Sequence, residues 1–138
     1  MLENSRRFTI TSAQLLAMFG TPQTIVPAPK AGYANIFRGL MLNKPAGTAY
    51  TIGTAAGLSV KYTDGSGLEV SQIGVTGFLD QATAQSIWSK PHTAASGANT
   101  TAIVAAAPLV LQVLTANVTV GTGGLRGRVF YMQVPIVP

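Results

Sequence analysis

Few side chains in this sequence are equipped for chemistry. Its 138 residues hold four carboxylates (Glu3, Asp64, Glu69 and Asp80), one histidine (His92) and no cysteine. Thiol chemistry and disulfides are excluded, and metal ligation or a nucleophile–base relay is short of partners. Asp64 and Glu69 flank a turn, and two carboxylates so placed can act as acid and base on a glycosidic bond. The turn explains both more simply: Asp before Gly-Ser-Gly bonds its own backbone, and Glu69 reads as a solvated strand residue. His92 has no Cys, His or acid at ligand or triad spacing, and either role needs an orienting partner, so it reads as an exposed loop residue. Gly121-Thr122-Gly123-Gly124 looks like a phosphate-cradling loop, but Arg126 stands where that fingerprint needs its third glycine. A strand, not a helix, follows, so the segment reads as a tight turn. The expectation is a protein that is not an enzyme, with no catalytic, cofactor-binding or metal site.

The cations are the other candidates. Nine Lys and Arg against four acids leave a net charge of +5 and a pI of about 10.0, which raises the question of nucleic acid. They are spread along the chain with two close pairs and no run of three, whereas a phosphate-tracking groove concentrates cations between stacking aromatics. No direct nucleic-acid partner is expected. Arg126 and Arg128 lie two apart on an expected strand and share a face, while Arg6 and Arg7 sit on an expected N-terminal arm of about residues 1–7. These four are the candidate protein contacts. The competing reading of Arg126 and Arg128 is a solvated edge whose charges discourage aggregation. Tyr33, Tyr50, Tyr62, Tyr131 and Trp88 read as core or sheet-packing residues rather than a sugar platform.

What positions these residues follows from composition and pattern. A chain of 138 residues is one domain, long enough to bury a core without disulfide or metal. Charged residues are 9% of the chain, far below the ~25% of an ordinary soluble domain. Hydrophobic residues reach 47% and the mean hydropathy is +0.35. The 36 Thr, Ser, Asn and Gln residues outnumber the 13 charged ones, so the surface is polar but hardly ionic. Such a surface suits assembly, because interface centres are depleted of charge, and suits equally a Thr-rich β protein kept soluble by its hydroxyls. The longest apolar stretch, residues 102–114, contains Pro108 and Gln112 and is short of the ~20 residues a membrane span needs. The basic N-terminus lacks the apolar run of a secretory signal, which implies synthesis in the cytoplasm.

Along the chain, Phe8-Thr9-Ile10 reads as a short strand and residues 11–20 as a short helix. Thr11 and Gln14 form its capping box, Leu15, Leu16 and Phe19 its apolar face, and Gly20 its left-handed terminus. Ile25 to Pro29 is extended by its prolines, an edge strand or strap. Residues 33–42 carry apolar side chains on both alternate sets, Ile36, Leu40 and Leu42 against Phe37 and Met41, as a strand covered on both faces would. Leu58, Val60 and Tyr62 point inward and Ser59, Lys61 and Thr63 outward on the clearest half-buried strand, which turns at Asp64 into a partner strand over 68–75. Asp80 caps a brief helix through Trp88, residues 92–101 form a polar loop, and strands over 108–114 and 125–134 close the chain. Seven or eight strands with two helical turns predict a single all-β domain over residues 1–138, a β-sandwich or jelly roll with one or two short helices.

Three segments, SAQLLAMFGTPQTIVPAPKAGYANIF, LSVKYTDG and PLVLQVLTANVTVGTGGLRGRVFYMQV, resemble the small phage head proteins of the cement or decoration type, among them the jelly-roll cementing proteins of short-tailed phages. The shared features are a short helix, the Val26-Pro27-Ala28-Pro29 strap, the aliphatic strand from Ile36 to Leu42, the Gly121–Gly124 turn, and a last strand bearing Phe130-Tyr131. The resemblance implies no catalysis and no cofactor. It implies a structural protein on the outer capsid surface that binds the major capsid protein as a homo-oligomer, a dimer or trimer, and clamps neighbouring subunits against the pressure of packaged DNA. No contact residue transfers with it. A receptor- or carbohydrate-binding module of a tail or fibre is the alternative, and a small hydrolase the third.

Overall fold

The computed structural model describes residues 3–91 and 102–136; His92 and the loop expected over 92–101 lie outside them. The elements are β1 (Glu3–Ile10), α1 (Ser12–Leu16), β2 (Gln23–Val26), β3 (Tyr33–Lys44), β4 (Gly57–Tyr62), β5 (Glu69–Ile73), β6 (Gln85–Ser89), β7 (Leu109–Leu114) and β8 (Leu125–Pro135). They build two antiparallel four-stranded sheets, ordered β1-β8-β3-β6 and β2-β7-β4-β5. Pairing is nested, β1 with β8, β2 with β7, β3 with β6 and β4 with β5. That is one long hairpin rolled into a sandwich, the pairing of an eight-stranded jelly roll.

The core lies between the sheets and is set by the two-residue period of the strands. Leu58, Val60 and Tyr62 on β4 face inward beside Val113, Leu111 and Leu109 on β7, and all six are buried. Leu40, Leu42, Leu125 and Val129 meet them from the other sheet. In β3 the expectation of two covered faces is corrected. A register shift between Phe37 and Gly39 changes the phase of the strand, so Phe37 points inward before it and Leu40 and Leu42 after it. Both alternate sets therefore carry apolar residues although one face is buried, and Met41 is 41% exposed. Ser59 is also corrected: it is buried, donating its hydroxyl to the Glu69 carboxylate.

Around α1 the capping box forms as the sequence implies, Thr11 accepting from the Gln14 N–H at 3.1 Å and the Gln14 side chain accepting from the Thr11 N–H at 2.9 Å. The helix ends at Ala17, and Gly20 is not left-handed. After so short a helix, Leu15 and Met18 fill the core and Phe19 is left exposed. The second helix is replaced by β6. The Asp80 carboxylate accepts from the Gly77 N–H at 2.7 Å and the Gln81 side chain at 3.1 Å, closing a turn instead of opening a helix. The following residues pair with β3 from Lys44 to Leu40.

The glycine-rich turn is seated by Tyr50. Its buried hydroxyl accepts from the Gly124 N–H at 3.1 Å and lies 3.0 Å from Ser12 Oγ. At Gly121, φ +85°, the Tyr50 ring occupies the space a Cβ would need. At Gly124, φ +60°, a Cβ would stand 2.2 Å from the Ile10 carbonyl oxygen. Both positions demand glycine, and together they fix the point at which β8 enters its sheet.

Candidate docking face

The outer face of the β1-β8-β3-β6 sheet brings together residues far apart in sequence. Cross-strand register sets Arg7 opposite Arg128, Arg128 beside Met41, and Met41 beside Trp88. One row away lie Thr9, Arg126, Asn43 and Ser86, and on the other side Ser5, Phe130 and Gly39. Arg7, Arg126 and Arg128 line a shallow cavity of about 300 Å³ with Met41, Asn43 and Gly127. Gly127 separates the two β8 arginines, and the Phe8 ring fills its missing side chain's place on the inner side, 2.3 Å from where a Cβ would stand.

The arginine trio is uncompensated. All four carboxylate side chains are engaged elsewhere. Glu3 pairs with Arg38 at 3.5 Å, the only ion pair among the described residues. Asp64 accepts from the Ser66 N–H of its own turn at 2.8 Å, as its position before Gly-Ser-Gly implies. Glu69 accepts from Ser59, and Asp80 from Gly77 and Gln81. The bonds from Gln81 and Gly77 hold the Asp80 carboxyl below its usual range. Among the described residues no three His, Asp or Glu side chains converge as metal ligands would. Like charges placed directly opposite on paired strands destabilise a sheet, so three arginines without an acid are a cost that the fold by itself does not require.

Two expectations about these arginines are corrected. The arm expected over residues 1–7 is, from Glu3 onward, strand β1, paired with β8 through Ile10. Its first residues show no apolar alternation because they are held by main-chain pairing at a sheet edge rather than by burial. Arg6 and Arg7 therefore part: Arg7 joins the trio, while Arg6, opposite the buried Val129, points to the other side of the strand. Nor is β8 an edge; β1 and β3 flank it, so Arg126 and Arg128 stand on the middle of a sheet.

Trp88 and Met41 are members the sequence reading missed. Trp88 is 57% exposed. Its indole lies over Gly39, where a Cβ would come within 2.4 Å of the ring, and meets Phe130 at 5.5 Å between centroids, tilted by 59°. Tyr50 and Tyr62 are buried as expected, and Tyr131 packs against the core. Burial pushes the Tyr62 phenol above its usual range, and its hydroxyl donates to the Asn35 carbonyl. Alternation over Gln85-Ser86-Ile87-Trp88-Ser89 puts one large apolar residue on each side, so only the pairing with β3, which sets Ile87 opposite the buried Leu42, shows that Trp88 faces outward. Compared with known families, characterised proteins and solved structures, the chain matches none.

Proposed function

We propose that this chain is a non-enzymatic structural protein of a phage head, a cement protein that docks on the outside of the shell and joins neighbouring major capsid protein subunits. One observation carries the docking part of this reading: the uncompensated cluster of Arg7, Arg126 and Arg128 beside exposed Met41 and Trp88. Arg, Trp and Met are the residues enriched where interfaces concentrate their binding energy. Guanidinium groups hold carboxylates through paired hydrogen bonds, so the matching shell surface is acidic with an apolar centre. The capsid part rests on the sequence resemblance. A homo-oligomer, a dimer or trimer, multiplies these contacts, and several modest contacts engaged together make a firm clamp. Assembly on the outer capsid surface would follow synthesis in the host cytoplasm.

Copy number tests the reading. In purified virions the ratio of this chain to the major capsid protein is expected to be fixed and comparable with that of a shell component. Absence from virions refutes it. A receptor- or carbohydrate-binding module of a tail or fibre has one observation in its favour, the exposed Trp88 indole beside an uncharged groove of about 320 Å³. Such a module would be present at a small fraction of the major capsid protein.

A further inference from the structure

Each sheet of the sandwich ends in two edge strands, and edges invite other chains unless blunted by charge, proline, bulges or cover. Three of the four are blunted. The outer strand β1 carries Glu3, Arg6 and Arg7. The four-residue strand β2 lies between Pro22 and Pro27 and is broken by a register shift. On β5 there is a register shift and a charge, Glu69, and Ser71 bonds across to Ser89 and to the Lys90 carbonyl, covering the far end of β6. The remaining stretch of β6 from Gln85 to Trp88 has no charge, proline or register shift, and beside it runs an open groove of about 320 Å³ lined by Gln72, Gly74, Thr76, Ile87 and Trp88.

We infer that β6 pairs with β6 of a second copy of this chain, antiparallel about a twofold axis near Ile87. The open stretch is complementary to itself in that register: Ser86 faces the partner's Trp88 and Ile87 faces its own copy, so the new ladder runs from Ser86 to Trp88 and stops short of the covered Ser89. No charge is brought against a like charge. Both Trp88 side chains fall on one face, two residues out of step, a diagonal spacing that aromatic rings bridge. That sets the most exposed aromatic of the described residues beside its copy, on the outer face that carries the arginines. Charge argues against the other symmetric choice, because a twofold through the arginine face would set six guanidinium groups together. Pairing at β6 instead joins two sheets into one of eight strands and displays both arginine trios on the same side. This inference names the contact of the homo-oligomer in the functional proposal, but it needs no capsid to be tested.

The test is solution mass by sedimentation equilibrium over a concentration series, with fluorescence of the single tryptophan. The expected result for the native chain is twice its 14.3 kDa, with Trp88 emission moving to longer wavelength as dilution dissociates it. Ser86→Asp, at an exposed position, and Trp88→Ala are each expected to weaken dimerisation at least tenfold with unchanged circular dichroism. Asn4→Asp, on the β1 edge, is expected to leave it intact. A native monomer at every concentration, a trimer, or a dimer that both β6 variants leave unaltered overturns the inference. A monomer that still binds shells overturns it alone, and a β6 dimer that never binds them overturns the cement reading alone.

Discussion

Removing Arg128 should stabilise the fold while weakening docking. Arg128 is the middle of the trio, opposite Arg7 in the register and two residues from Arg126 on the same strand. At about 7 Å, the two-residue spacing along a strand, Coulomb's law gives roughly 0.6 kcal/mol of repulsion per pair of unit charges at the dielectric constant of water and about 2.4 kcal/mol at an effective value of 20. Arg7 is exposed and Arg128 half-buried, so the lower figure governs. Arg128→Gln relieves two such pairs, a gain of about 1 kcal/mol at low ionic strength, or roughly 4 °C in Tm for a domain of this size. The assay is urea unfolding of native and variant chains at low and at high salt. In molar salt the screening length falls to about 3 Å and the gain should vanish. If Arg128→Gln destabilises the fold equally at both ionic strengths, the arginine stem is a packing element and the argument from uncompensated charge fails.

Other positions give sharper structural tests. Gly124→Ala sets a Cβ against the Ile10 carbonyl at a left-handed residue and is expected to cost about 3 kcal/mol or more in urea unfolding. Thr11→Ala removes the hydroxyl that accepts the Gln14 N–H and should cost about 1 kcal/mol by the same measure. Tyr62 gives a pH dependence: with its phenol raised by burial, the folded state holds the proton more tightly than the unfolded state. Its contribution is complete below the unfolded phenol's pKa of about 10 and is lost as pH rises above it. Denaturation at increasing pH should show stability falling in that range, and Tyr62→Phe should flatten that part of the curve.

Much of the fold was legible because its strands carry local signatures: the alternation in β4, the Asp64 turn, the capping box at Thr11, and the two closing strands with their glycine turn. The misreadings have physical causes. A register shift inside β3 mixes two phases of alternation, which read as burial on both faces. Residues 80–88 hold both a capping acid and strand-forming residues, and only pairing with β3, about 45 residues earlier, decides for the strand. The candidate site was half legible. Arg126 and Arg128 were paired by spacing, but Arg7 joins them only through antiparallel register, and Arg6 leaves for the same reason. An edge strand held by its main chain shows no apolar alternation, so β1 looked like an arm. Trp88 reads as a core or sheet-packing residue; it does pack on its sheet, over Gly39 and against Phe130, but on the outer face, which the preference of aromatics for strands does not distinguish from the core.

Decoration of shells measures directly whether the arginine face docks on a capsid. Undecorated shells of the phage that the proposed function calls for are mixed with native protein or with Arg7→Gln/Arg126→Gln/Arg128→Gln, sedimented, and the bound chain compared with the major capsid protein across a salt series. The expected result is saturable binding of the native chain at a fixed ratio that weakens as salt rises, and little binding of the triple variant despite an unchanged circular dichroism spectrum. Native chain that stays in the supernatant, or a triple variant that binds as well as native at every salt concentration, would contradict it.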